Sequence, residues 1–280
     1  MGASGFNGLR VASFEGRMAE EMSRLISRHG GQPLVAPALR EIPIESNAEA
    51  LAFGRRLLDG AIDVLVLLTG VGTTALVEVL RTGYAPQAVT AALAKTCLVA
   101  RGPKPVAALK ALGLTPAITV PDPNTWRDLL QALDADRPLR GLRIAVQEYG
   151  VSNGELLRGL RERGAEVTCI PVYRWALPED VGPLREVLTR IQVGEVDVLL
   201  ITNAAQVEHV MHLLTHEGHA PSFRQALARM LVASIGPTAS ERLRVHGWPV
   251  DVEPSHPKMG ILVKESSEQA GAILARKRSA

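Results

Sequence analysis

The chain has 280 residues, enough for two domains of ordinary size, and 46% hydrophobic against 21% charged residues permits normal cores and excludes a disordered chain. A net charge of +2, with the basic residues spread out, excludes a dedicated nucleic-acid binder. Apolar runs such as Val64–Leu68 are far shorter than the roughly 20 residues that span a bilayer, and Cys97 and Cys169 sit in apolar strand-like runs, which reads as two buried thiols in a reducing compartment.

From the N-terminus, residues 1–8 show neither a basic n-region nor an apolar h-region, so no signal peptide is expected and the chain reads as cytoplasmic. Gly8-Leu9-Arg10-Val11-Ala12 opens a strand; Met18, Met22, Leu25 and Ile26 then fall at helical spacing, and Gly30-Gly31 marks the stop. A second extended run, Val35-Ala36-Pro37-Ala38-Leu39-Arg40, continues toward Ile44. Asp63 to Thr69 is a continuous apolar strand behind an acidic start, and Leu98-Val99-Ala100-Arg101-Gly102-Pro103 is another. The pattern then begins again, offset by about 133 to 134 residues. Gly141-Leu142-Arg143-Ile144-Ala145 repeats the first strand, and Gly164 the helix stop. Cys169-Ile170-Pro171-Val172-Tyr173-Arg174 repeats the second run, Asp197 to Thr202 the third, and Leu231 to Pro237 the fourth with one residue inserted. Val207, Val210, Met211 and Leu214 again fall at helical spacing. Four blocks in one order at one spacing are a domain duplication. The tail Arg276-Lys277-Arg278 reads as a solvated end.

Strands alternating with helices predict an α/β fold of two pseudo-repeat, doubly wound parallel-sheet domains with a cleft between them. Leu39–Ile44 and Val172–Leu177 are extended segments beside prolines at equivalent places, and either could be a linker. If both are, the first βαβ piece belongs with the last third of the chain; a simple split near residue 140 is the alternative.

In an open α/β sheet, ligands bind beyond the carboxyl ends of the strands. The loops there carry Phe14, Glu15 and Arg17; Thr69, Gly70, Val71 and Gly72; Arg101 and Gly102; Tyr149 and Gly150; Thr202, Asn203, Ala204 and Ala205; and Gly236 and Thr238. Small residues leave backbone N–H groups bare at helix N-termini, where unpaired donors and the dipole favour anions. One such loop is as readily a tight turn or N-cap; six facing one cleft suit a ligand with many carboxylates. Gly70-Val71-Gly72 lacks the third glycine of a dinucleotide fingerprint, and no Walker-type loop occurs. His209, His212 and His216 share a helical face, which reads as a solvated edge rather than a metal site. Tyr173 is one of three tyrosines and its repeat counterpart is Leu39, so a hydroxyl stands in one copy only. Arg40 and Arg174 match in both copies, which suggests a structural or electrostatic role.

Taken together, Asp63–Leu80 with Thr69-Gly70-Val71-Gly72, Leu98–Leu114 with Ala100-Arg101-Gly102, the Pro171-Val172-Tyr173-Arg174 strand and Val232–Gly247 with Gly236-Pro237-Thr238 resemble the uroporphyrinogen-III synthase family over nearly the whole chain. The resemblance implies a discontinuous first domain, residues 1–38 plus 174–280, a second domain at 45–168, and inter-domain linker strands at 39–44 and 169–173. It implies cyclisation of the linear tetrapyrrole hydroxymethylbilane to uroporphyrinogen III with loss of water and inversion of ring D. No metal or organic cofactor, nucleic acid or membrane is implied; the protein is expected to be a monomer. Tyr173 matches the tyrosine that helps the hydroxyl leave. Asn203-Ala204-Ala205 departs from a commoner serine-rich loop, and Pro103 removes one amide donor. The rival expectation is a non-catalytic bilobed protein that binds a small anion; a nucleotide-binding protein would rest on fold alone.

Overall fold

The computed structural model describes residues 5–42, 47–148, 150, 152–172 and 174–279. The chain divides into two compact units, one of Met1–Arg40 with Ala176–Ala280 and one of Glu41–Trp175.

In chain order the elements are β1 (Arg10–Ser13), α1 (Ala19–Arg28), β2 (Gln32–Val35), β3 (Arg40–Ile42), α2 (Ala48–Leu58), β4 (Val64–Leu67), α3 (Gly70–Gly83), α4 (Pro86–Lys95), β5 (Cys97–Ala100), α5 (Pro103–Ala111), β6 (Ile118–Thr119) and α6 (Trp126–Asp136). A second series follows: β7 (Arg143–Glu148), α7 (Gly154–Glu162), β8 (Glu166–Pro171), β9 (Arg174–Ala176), α8 (Gly182–Gln192), β10 (Val198–Ile201), α9 (Ala204–His216), α10 (Ala220–Leu227), β11 (Leu231–Ser234), α11 (Pro237–Val245) and α12 (Met259–Ser279). The two series match element by element. The single gap is the counterpart of β6, which is reduced to a parallel bridge between Ala233 and Val252.

The first unit holds a four-stranded sheet in the order β11-β10-β1-β2, and the second a five-stranded sheet in the order β6-β5-β4-β7-β8, every pair parallel. Each sheet therefore takes a βαβ piece from one repeat and the remainder from the other. β4 and β10 are buried along their whole length because helices cover both faces of their sheets. Val11 and Val198 sit side by side in one register, as Ile144 and Val64 do in the other. The strands β3 and β9 pair with each other where the chain crosses between the units. Of the expected linker strand 169–173, residues 169–171 are instead the end of β8, paired with 146–148 of β7, because Ile170 is buried in the core of that sheet.

The tail is a solvated end only in part: Arg276 and Arg278 are exposed, while Lys277 is drawn in. Lys277 donates to an Asp251 carboxylate oxygen at 2.6 Å and to the Met230 carbonyl at 2.7 Å, and Arg278 reaches Asp197 at 2.6 Å. Basic residues at a helix C-terminus are favoured by its dipole, and here they also meet the acidic groups at one edge of the sheet. No helix among the described residues is long and apolar enough to cross a membrane.

Candidate functional site

The loops beyond the carboxyl ends of the strands are built differently in the two units. In the unit of Glu41–Trp175, Thr69 is the N-cap of α3 in extended conformation, and its Oγ1 accepts from the Gly72 N–H at 3.0 Å. The Thr73 hydroxyl bonds back to the Thr69 carbonyl. The N–H groups of Gly70 and Val71, in the first turn, have no acceptor within the helix and are the donors an anion would meet. A Cβ at Gly70 would lie 2.8 Å from the Lys104 carbonyl oxygen, so glycine lets the N-termini of α3 and α5 lie side by side. Val71 is exposed, and Arg101 is half-buried with its N–H on the Leu67 carbonyl. Gly102 is buried, and a Cβ there would sit 2.8 Å from the Asn124 side-chain oxygen. Beyond β7, Gly150 has φ +66° and lies against the Trp175 indole, so it admits no side chain. Tyr149 and Tyr173, both read as site residues, lie outside the described residues.

In the other unit, Asn203 is the N-cap of α9, its side chain accepting from the Ala205 N–H at 2.9 Å. The structural counterpart of Thr69 is therefore Asn203, not Thr202 as the end of the repeat block suggested; both residues cap the helix that follows. Thr202 accepts from the Gln206 amide at 2.8 Å and donates to Glu15. Its own N–H donates to the Gln206 Oε1 at 3.0 Å. Ala204 and Thr238 are half-buried, Ala205 and Gly236 buried, and Arg17 exposed. Phe14 is fully buried in the core with Ala36, Val207 and Leu243, so it presents nothing to a ligand. Phe14 follows β1 directly, as the loop reading had it, but its side chain turns into the core.

Two residues that were not read as site residues organise these turns. Gln147, at the end of an apolar strand, is fully buried and accepts from the Leu68 N–H at 3.3 Å. Gln206, in the first turn of an apolar helix, does the same for the equivalent Thr202 N–H. A polar residue inside an apolar run was the available signal, since a buried amide side chain must find partners. Gly72 is glycine because a Cβ would fall 2.1 Å from the Gln147 amide nitrogen. Its N–H is committed to the cap, as is that of Ala205, so neither is a bare donor.

The histidines form no metal site: among the described residues no group of three or more His, Cys, Asp or Glu is placed to hold an ion. His212 and His216 are exposed, while His209 is half-buried, its basicity lowered first by burial and then by the neighbouring His212. Both cysteines are free and half-buried. Burial, aided by the nearby Glu148 carboxylate, pushes the Cys169 thiol up to about 11.

The fold and loops define a duplicated, doubly wound α/β protein with capped helix N-termini at the carboxyl ends of both sheets, an arrangement suited to anionic groups. Residues 20–264 match the family described as uroporphyrinogen-III synthase HemD, and the chain belongs to that family. It is 32% identical over 228 residues to a putative uroporphyrinogen-III synthase of Methanothermobacter thermautotrophicus, covering 81% of this chain and 85% of the relative. It is 27% identical over 267 residues to the YjjA protein of Bacillus subtilis, covering 93% and 96%. A mutant uroporphyrinogen III synthase from the extremely thermophilic bacterium Thermus thermophilus superposes with a TM-score of 0.72 at 29% identity, covering 96% of this chain and all of that one.

Proposed function

We propose that this chain is a uroporphyrinogen-III synthase that works without a cofactor, as a cyclising hydro-lyase. It takes hydroxymethylbilane, expels the terminal hydroxyl as water, inverts ring D through a spiro intermediate and closes the macrocycle. The observation that carries the reading is family membership over most of the chain. The loops agree with it, since first-turn amides at Gly70 and Val71 are suited to substrate carboxylates. An exposed helix terminus contributes only ~0.3–1 kcal/mol to each anion, so binding an octa-acid calls for several loops at once. The remaining task is to hold a flexible chain with its ends together, and positioning with electrostatics can supply most of such a rate.

Arg17, Arg101 and the half-buried Thr238 are assigned to substrate carboxylates, with the loops at Thr69–Gly72 and Thr202–Ala205. Tyr173 is assigned to the departing hydroxyl. The enzyme is proposed to act as a cytoplasmic monomer. The test is incubation of the purified chain with enzymatically generated hydroxymethylbilane, followed by isomer analysis of the product. Uroporphyrinogen III in excess of the spontaneous isomer I is the expected result; isomer I alone would sink the reading. Tyr173→Phe is expected to lower turnover substantially without abolishing it, and unchanged turnover at saturating substrate would remove Tyr173 from the reaction.

A further inference from the structure

In both units the loop beyond the outermost strand leans on an N-cap glycine, but the two loops differ in charge. In the unit of Glu41–Trp175, residues 121–125 lead from β6 to α6. The Asn124 side-chain oxygen there lies 2.8 Å from a Cβ placed on Gly102, the N-cap of α5. In the other unit, residues 253–258 lead from the bridge at Val252 to α12. The Pro257 Cβ lies 3.5 Å from a Cβ placed on Gly236, the N-cap of α11, which sets the start of α12 beside the start of α11. The first loop, Pro121-Asp122-Pro123-Asn124-Thr125, holds an acid and no cation; the second, Glu253-Pro254-Ser255-His256-Pro257-Lys258, holds a lysine and a histidine against one acid.

The acids of this corner are already spent. Glu253 accepts from the Ser240 hydroxyl of α11. Glu265 takes the Ser255 hydroxyl at 2.5 Å and the Ser255 N–H at 3.0 Å. Those two bonds, and less strongly the nearby Lys264 and His256, hold the Glu265 carboxyl below its ordinary range. Lys258 is exposed, and its ammonium has no acceptor among the described residues. It stands immediately before α12, its carbonyl taking the Leu262 N–H, at the end of the helix where the dipole disfavours a cation. The first turns of α11 and α12 contain no acid. Nothing in the fold accounts for a lone cation there; an anion from outside would.

Resting on the cyclisation reading above, we propose that Lys258 binds a carboxylate of the tetrapyrrole in the corner that Gly236 and Thr238 share with the start of α12. An ammonium on a flexible four-carbon stem is a point charge without fixed geometry, so it can follow a carboxylate carried on a flexible arm. The first-turn amides of Met259 and Gly260 have no acceptor within α12 and donate to the same group. Gly260 leaves open space where a side chain would stand. Lys258 makes and breaks no bond. It holds a remote carboxylate equally in the ground state and the transition state, so it acts on KM and not on kcat.

The experiment is steady-state turnover of hydroxymethylbilane by Lys258→Gln and Lys258→Arg at low and high salt. Lys264→Gln, further along α12 and paired with Glu268 at 3.9 Å, removes the same charge as a control. A wild type that makes no isomer III fails the cyclase reading itself and is scored first. With an active wild type, Lys258→Gln is expected to raise KM about three-fold at level kcat, and the difference should shrink in high salt. Lys258→Arg, which keeps the charge, and Lys264→Gln should match wild type. An unchanged KM in Lys258→Gln overturns the proposal, as does an equal rise in Lys264→Gln, which would mark a general effect of net charge. Thermal unfolding supplies a second readout. Lys258→Gln should be no less stable than wild type, because the cation is disfavoured where it stands; a lowered Tm would make Lys258 a residue of the fold and overturn the proposal too.

Discussion

The two units are built from matching elements, yet they solve the same local problems with different residues. Beyond the second strand of each core pair, a backbone N–H is left without a ladder partner. In one unit it belongs to Leu68 and is met by Gln147 from β7; in the other it belongs to Thr202 and is met by Gln206 from α9. Where the glutamine comes from the strand, the helix must carry Gly72; where it comes from the helix, the position equivalent to Gln147, just past β1, carries the buried Phe14. The aspartates at the strand starts diverge likewise. Asp63 accepts from Arg143 in the neighbouring strand, through backbone and guanidinium, at 2.7 to 2.9 Å. Asp197 keeps the backbone bond to Arg10, but its close cation is Arg278 from α12. The duplicated backbone dictates which groups need partners, while the side chains that supply them are free to move between elements.

The largest effect should come from the ion pair that ties the end of α12 to the β11 side of its sheet. Lys277 and Asp251 are both nearly buried, 14% and 9% exposed at the side chain, and Lys277→Ala would leave a buried carboxylate without its cation. A loss of about 3 kcal/mol is expected in chemical denaturation, and hydrogen exchange should show it in β10 and β11 while β4 and β7 hold; equal loosening of both sheets would contradict independent construction. Next is Gly72→Ala. The added Cβ displaces Gln147 and strands the Leu68 N–H, costing about 2 kcal/mol. Gln147→Ala in the same chain should recover part of that loss, because the clash disappears while the unmet N–H remains; strict additivity would show that the two positions are not coupled.

Asp63→Asn tests the ion pair of the other unit. The Arg143 side-chain hydrogen bond, with burial opposing it, holds the Asp63 carboxyl at about 2 against an ordinary 3.8. A depressed carboxyl stabilises the fold above its unfolded-state value, and that contribution fades as pH falls from about 4 to about 2. The pair is roughly a third exposed, so solvent screening limits the effect to about 1 kcal/mol. Asp63→Asn should flatten the acid limb of the stability curve by that amount and leave the slope above pH 5 unchanged. The smallest effect concerns Cys169, which stands where the first unit has Val35. Its raised thiol should react with a thiolate-directed reagent at neutral pH about ten-fold or more slowly than a free thiol, until unfolding restores the rate.

Much of this architecture is legible in the chain itself. The repeat, the buried parallel strands at Val64 and Val198, and the helix stops at Gly30 and Gly164 follow from apolar periodicity and from the left-handed turns that glycine adopts. The loops that carry the candidate site are legible too, because small residues follow each strand. What they do was less so. Thr69 and Asn203 spend their side chains on capping, Phe14 belongs to the core, and the tail residues Lys277 and Arg278 close on Asp251 and Asp197.

Local pattern determined that there would be two copies of one βα series, since burial on each strand and the caps of each helix involve neighbours within a few residues. Only the tertiary structure decided that each sheet exchanges a βαβ piece with the other repeat, that the segment at 169–171 extends β8, and that Gln147 and Gln206 answer the same need. The exchange turns on pairings between residues some 80 to 190 positions apart, such as Leu68 with Gln147 and Arg10 with Asp197, and the extension of β8 on pairing across the β7–α7–β8 piece, Cys169 with Val146. In a duplicated chain, either copy offers an almost equally apolar strand, so periodicity cannot choose the partner; packing and hydrogen-bond satisfaction across the assembled sheet do.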